Sequence, residues 1–193
     1  MKEDKKRIGF VTENMNKFLE AKHIMQTYSI DLRWIPVSVK EVQSDSLEEI
    51  ILHKVIMLVD VVDCPFIVED TGLFIDALNG FPGPYASYVY NKLGLEYILK
   101  LLSDVHNRSA TFVSVGALVL NRRIVKLFKS TLRGQISKEK MGQYGFGYDP
   151  IFIPEGTYKT LAQMSLEEKN KTSHRGKLFR KIASFYIRFI NLK

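Results

Sequence analysis

The stretch R-I-G-F-V-T-E-N-M-N-K-F-L-E-A-K-H-I-M-Q-T-Y, from Arg7 to Tyr28, changes its hydrophobic period halfway along. Residues 7–12 read as a short strand. Beyond them Phe18, Ala21, Met25 and Tyr28 recur at spacings of 3, 4 and 3, which is one face of a helix. The same alternation continues outward. Residues 32–39 are extended, with Pro36 inside them, which argues for an edge or irregular strand. Ser46-Leu47-Glu48-Glu49 is a capping-box pattern that opens a helix with apolar residues at Leu47, Ile50, Ile51, Val55, Leu58, Val59 and Val62. Residues 65–68 form a buried-type strand expected to end at Glu69-Asp70, followed by a Gly/Pro-rich stretch, 71–84, with Asn79-Gly80 and Pro82-Gly83 as turn signals. A helix fits 93–102. Residues 110–120 and 124–132 read as a hairpin joined by Asn121-Arg122-Arg123, residues 134–150 as a loop and 151–153 as a short strand. A last helix, 173–190, carries one apolar row at Leu178, Ile182, Phe185 and Phe189 and a second at Phe179, Ala183, Tyr186 and Ile190. The sum is an α/β fold with a mixed sheet.

Composition bounds the rest. A chain of 193 residues, 46% hydrophobic and 25% charged, suits one globular domain, residues 1–193, with or without two lobes. Its one cysteine, Cys64, excludes an internal disulfide framework and a Cys-rich zinc site, and points to reducing cytosol. Residues 1–7 lack the apolar stretch of a secretory signal, and the longest apolar run, 110–120, is too short to span a bilayer. The net charge of +7 raises the question of a polyanionic partner. It is unevenly spread. Residues 165–193 hold eight basic and two acidic residues, which leaves 20 basic and 19 acidic in the first 164.

Four short segments can carry chemistry. Thr12-Glu13-Asn14-Met15-Asn16-Lys17 lies at a strand-to-helix junction, where free backbone N–H groups attract anions. Thr12 and Asn14 can bond phosphate oxygens and Lys17 can add a point charge. Asn14 serves equally well as a plain helix cap. Glu69-Asp70-Thr71-Gly72 places two carboxylates where ligands gather in α/β sheets. A hard metal such as Mg²⁺ takes carboxylate oxygens together with waters and phosphates, and a carboxylate beside such a water can act as its base. An acidic turn would look the same. Asp-Thr-Gly also occurs in aspartic proteases, which need paired motifs in a β fold.

Tyr144-Gly145-Phe146-Gly147-Tyr148-Asp149-Pro150 sets aromatics between glycines. Such a segment can form a slot for a nucleobase, with Asp149 accepting from ring N–H groups, or a Gly-rich turn with aromatic plugs. In Glu168-Lys169-Asn170-Lys171-Thr172-Ser173-His174-Arg175, Ser173 reads as an N-cap with His174 and Arg175 in the first turn. Cations there oppose the helix dipole, which suggests an anionic ligand or contacts to a base; a solvated basic face is the alternative. Glu41 can bring a third acidic group. His23, His53 and His106 form no metal-ligand spacing. Together these segments favour a Mg²⁺-dependent enzyme acting on a nucleoside triphosphate.

The same segments, with A-L-N-G-F-P-G-P-Y (77–85), occur in an order that resembles the inosine triphosphate pyrophosphatase family, nearly end to end. The resemblance implies two lobes with a nucleotide cleft between them and hydrolysis of ITP, dITP or XTP to the monophosphate and pyrophosphate. It also implies Mg²⁺ and usually a homodimer; the cytoplasmic location rests on the single cysteine. It assigns Thr12, Asn14 and Lys17, within the 12–17 loop that also holds Glu13, Met15 and Asn16, to the triphosphate. Glu41 and Asp70 correspond to the metal carboxylates, and Asp70 to the general base. Thr71 would touch substrate, Phe146 would stack on the base beside Gly147, and Tyr148 and Asp149 would line its pocket. Lys169, His174 and Arg175 match residues that reach phosphate and the purine edge. Glu13 departs from the small residue usual there. Two other readings compete. One is a pyrophosphatase for modified pyrimidine triphosphates, which the Phe146–Asp149 slot and Ser173-His174-Arg175 oppose. The other is a basic nucleic-acid-binding module, which the two apolar rows of the last helix oppose.

Overall fold

A computed structural model describes residues 6–63 and 65–192; residues 1–5, Cys64 and Lys193, which bear on the readings of the N-terminus, the thiol and the last charge, lie outside the described residues. Strand β1 (Arg7–Val11) leads into helix α1 (Met15–Thr27), and β2 (Asp31–Ile35) stops just before Pro36. Helix α2 (Leu47–Leu58) follows, then β3 (Phe66–Ile75), the two-residue β4 (Pro82–Gly83) and α3 (Ala86–Leu101). The long strands β5 (Ser109–Asn121) and β6 (Ile124–Ile136), the short β7 (Phe152–Pro154) and helices α4 (Leu166–Thr172) and α5 (His174–Asn191) complete the chain. The seven strands form one sheet in the order β2-β1-β3-β5-β6-β7, with β4 on β3. β1 is parallel to β2 and β3, whereas β3·β4 and β6·β7 are antiparallel. The sheet is therefore mixed, and β2 lies at its edge as expected, although it stops before Pro36 and does not run on to Val39.

The chain divides into two compact units, and β3, β5 and β6 contribute residues to both. The first unit holds the described residues up to Asp70, Ser114–Ser130 and those from Arg175 onward. Its core joins Ile8 and Phe10 of β1, Phe18, Ala21, Ile24 and Met25 of α1, and Leu178, Phe179, Ile182 and Ala183 of α5. Phe10 meets Phe179 edge to face at 5.1 Å. Both apolar rows of α5 are used in this way, so the basic residues ride on a packed helix.

The second unit, Thr71–Val113 and Thr131–His174, has its own core of Leu73, Ile75, Ile98, Phe112, Ile151 and Phe152 among others. Here the structure departs from the sequence reading in four places, three of them through a glycine. β3 does not end at Asp70 but runs on to Ile75, because Leu73 and Phe74 pair with Gly83 and Pro82. A Cβ on Gly72 would lie 2.8 Å from the Gly83 carbonyl oxygen, so this glycine permits strand pairing and does not mark a loop. β6 likewise continues through Gly134, against which the Phe152 ring lies. Helix α3 starts seven residues earlier than expected and is broken at Gly94, where φ is +72° and ψ is −177°. Its two halves present separate apolar faces, which hides the first half from a periodicity argument. Helix α4 stands where only a basic cluster was apparent. Ser165 caps it with a full capping box, and Ser173 is its C-cap.

Candidate active site

In the first unit the end of β1 sets the 12–17 loop. Thr12 N–H donates to the Ile35 carbonyl at 3.1 Å, and its own carbonyl accepts from Trp34 Nε1 at 2.8 Å. The Thr12 hydroxyl accepts from Asn14 N–H, and Asn14 Oδ1 accepts from the N–H groups of Asn16 and Lys17 at 3.0 and 3.1 Å. Asn14 is thus the helix cap, and Glu13, Asn14, Met15 and Asn16 are exposed around it. The capping pulls the first turn tight and aims Lys17 inward. The Lys17 ammonium lies 3.0 Å from Glu69 Oε2 and 3.6 Å from Asp70 Oδ1.

Consecutive residues of a strand face opposite ways, and Glu69 and Asp70 meet different partners as a result. Glu69 is buried. Its Oε1 accepts from the Ser114 hydroxyl at 3.2 Å and lies 3.3 Å from Arg175 Nη2. Arg175 is itself 3% exposed, and its Nη1 donates to Glu20 Oε2 at 2.7 Å. The first-turn cation at the start of α5 is therefore answered by two buried carboxylates of the protein. Asp70 turns its Oδ2 to the Lys54 ammonium at 3.3 Å, and the same ammonium lies 2.5 Å from Glu41 Oε1. The result is a chain of alternating charge: Glu20, Arg175, Glu69, Lys17, Asp70, Lys54, Glu41. Four carboxylates face three cations. Burial works against the Lys54 charge, but Asp70 and Glu41 outweigh it and hold its pKa above the ordinary lysine value.

The donor set suits a hard divalent cation. Glu41 and Asp70 supply carboxylate oxygens only, and one cation, the Lys54 ammonium, already draws both toward itself. Among the described residues no three His, Cys, Asp or Glu side chains converge to cage a metal. A pair of carboxylates completed by waters and phosphates is the way Mg²⁺ is commonly bound.

In the second unit Thr71 lies within β3, directly after Asp70. Positive φ at Gly145 (+74°) and Gly147 (+60°) turns the chain around Phe146. Asp149 Oδ2 accepts from Phe146 N–H at 2.7 Å and from the Lys169 ammonium at 2.5 Å. Lys169 in turn lies 4.8 Å from the centroid of the Phe146 ring, and the space beside Gly147 is open. Tyr148 points into the core, where its hydroxyl donates to the Ala86 carbonyl at 2.9 Å; burial and Tyr90 push its pKa up. His174 stacks on Phe112 at 4.3 Å and is 3% exposed.

Each unit thus gathers its own predicted residues: Thr12–Lys17, Glu41, Asp70 and Arg175 in the first, and Thr71, Phe146–Asp149, Lys169 and His174 in the second. Three residues were missed. Lys54 is the most consequential. Its signal was a basic residue midway between Ile50 and Leu58 at spacings of four, on the apolar stripe of α2. Glu20 sits likewise beside Ala21 on the buried face of α1. Ser114, in the apolar run of β5, gave no signal.

The Ham1 family profile matches residues 8–185. The chain is 46% identical over 180 residues to a dITP/XTP pyrophosphatase of Methanopyrus kandleri, covering 93% of this chain and 96% of that one. It is 44% identical to a dITP/XTP pyrophosphatase of Pyrococcus horikoshii, covering 97% and 99%. The solved Ham1 protein of Staphylococcus aureus superposes with a TM-score of 0.78 at 31% identity, covering 93% and 97%. With a profile match across most of its length and relatives this similar end to end, the chain belongs to the Ham1 family.

Proposed function

We propose that the protein hydrolyses deaminated purine nucleoside triphosphates, ITP, dITP and XTP, to the monophosphate and pyrophosphate with Mg²⁺, and so clears them from the nucleotide pool. The observation that carries the reaction class is Asp70, a carboxylate held between two ammonium groups, Lys17 and Lys54, with Glu41 on the far side of the second. Glu41 and Asp70 would hold the metal, which supplies charge neutralisation on the phosphates. Asp70 orients the attacking water and accepts its proton. Lys17 and the 12–17 loop take the triphosphate oxygens, because a capped helix N-terminus adds its dipole to the lysine charge.

In the second unit Phe146 offers a ring face to the base, with Thr71 and Gly147 in contact with substrate and Tyr148 fixing the turn from within the core. Lys169 and His174 supply donors there, whereas Arg175, matched to the purine edge by the resemblance, is held by Glu20 and Glu69 in the first unit. Donors favour the 6-oxo group of hypoxanthine and xanthine and leave adenine unmatched. The names of the relatives support this base choice. No helix among the described residues is long and apolar enough to cross a membrane. We assign the enzyme to the cytoplasm, as a homodimer, with no nucleic-acid partner. A panel of triphosphates tests the specificity: kcat/KM for ITP, dITP and XTP should exceed that for ATP by at least about a hundredfold, within the roughly 10⁴-fold that specific hydrogen bonding achieves. Equal rates on ATP, or a preference for modified pyrimidine triphosphates, would overturn the base assignment.

A further inference from the structure

Lys54 has a position that catalysis by carboxylates alone does not require. Its ammonium lies 2.5 Å from Glu41 and 3.3 Å from Asp70, and its side chain is only 12% exposed. Glu41, by contrast, has a side chain 56% exposed. Burial does not hold that carboxylate in place; the contact to Lys54 does. A lysine ammonium is a compact point charge on a four-carbon stem with several rotatable bonds, so it can occupy such a position and leave it.

We infer that Lys54 is a built-in counter-ion for the metal site: its ammonium occupies the gap between Glu41 and Asp70, and a divalent cation enters only by displacing it. The inference rests on the reading that these two carboxylates hold the metal. A metal ion bonded to both at about 2.0–2.1 Å leaves no room for an ammonium between the same oxygens, and the two cations repel. The displaced ammonium needs a new anion. A triphosphate provides one, so nucleotide should favour metal entry and metal should favour nucleotide, by the reciprocity of linked binding. Lys17 is the natural comparison. It is also a cation near Asp70, at 3.6 Å, but its closer partner is Glu69 and it does not touch Glu41.

The test is a Mn²⁺ titration without nucleotide, read by the loss of the free-ion electron paramagnetic resonance signal, on wild type, Lys54→Met, Lys54→Gln, Lys17→Met and Asp70→Asn. Removing Lys54 should tighten Mn²⁺ binding about tenfold or more, for both Lys54 variants, because the competing cation is gone. Lys17→Met should gain distinctly less. Wild-type affinity in both folded Lys54 variants would overturn the inference, as would a gain in Lys17→Met equal to theirs, since a general change of field then suffices. An Asp70→Asn variant that binds Mn²⁺ as wild type does would instead overturn the metal assignment beneath it.

Discussion

Asp70→Asn is expected to lower kcat on ITP by about 10²–10⁴-fold, the range for losing a positioned general base. The amide keeps the shape of the side chain but cannot take a proton from water, and it weakens the bond to a metal. The surroundings make the loss specific. Lys17 retains Glu69 at 3.0 Å and Lys54 retains Glu41 at 2.5 Å, so neither ammonium is stranded by the change. Stability should therefore stay near that of wild type. Initial rates with a urea melt alongside separate the two effects. An unchanged kcat would remove Asp70 from the chemistry, and a collapsed melt would make its role structural.

Arg175→Met should have the largest effect on stability, about 3–5 kcal/mol by urea denaturation, the usual cost of removing one partner from a buried ion pair. Arg175 joins Glu20 and Glu69, whose side chains are 5% and 0% exposed. Glu69 keeps Lys17 and the Ser114 hydroxyl, whereas Glu20 loses the guanidinium that faces it. The double variant Arg175→Met with Glu20→Gln should therefore recover part of the loss, because the amide carries no buried charge. A single variant within about 0.5 kcal/mol of wild type, the spread of ordinary surface changes, would mean the pair contributes little.

Much of this architecture is legible in the chain. Period changes alone locate β1, α1, the β5–β6 hairpin and α5, because these elements bury one continuous apolar face. Gly72 and Gly134 mislead for a physical reason: glycine signals a turn locally, but here it admits a neighbouring backbone or ring inside a strand. Local sequence reveals Asn14 as a cap, since it bonds within a few residues, whereas Asp149, expected to accept from a nucleobase, accepts from Phe146 N–H and the Lys169 ammonium. It does not reveal the ion-pair chain. Glu20 and Arg175 are 155 positions apart, and Lys54 meets Asp70 only because α2 packs where it does. The basic C-terminal segment shows the same limit. Lys169 and Arg175 are buried and paired to carboxylates, Lys181 donates to the Lys129 carbonyl, and Arg188 stays exposed. The basic cluster that suggested a polyanion therefore resolves partly into internal pairs, and the net excess rests on other residues.

The most direct test of the central claim is the identity of the products. Purified protein incubated with ITP and Mg²⁺, followed by ³¹P NMR, should yield IMP and pyrophosphate in equal amounts, with no IDP at any time. IDP with inorganic phosphate would place the cut at the terminal phosphate and contradict the account.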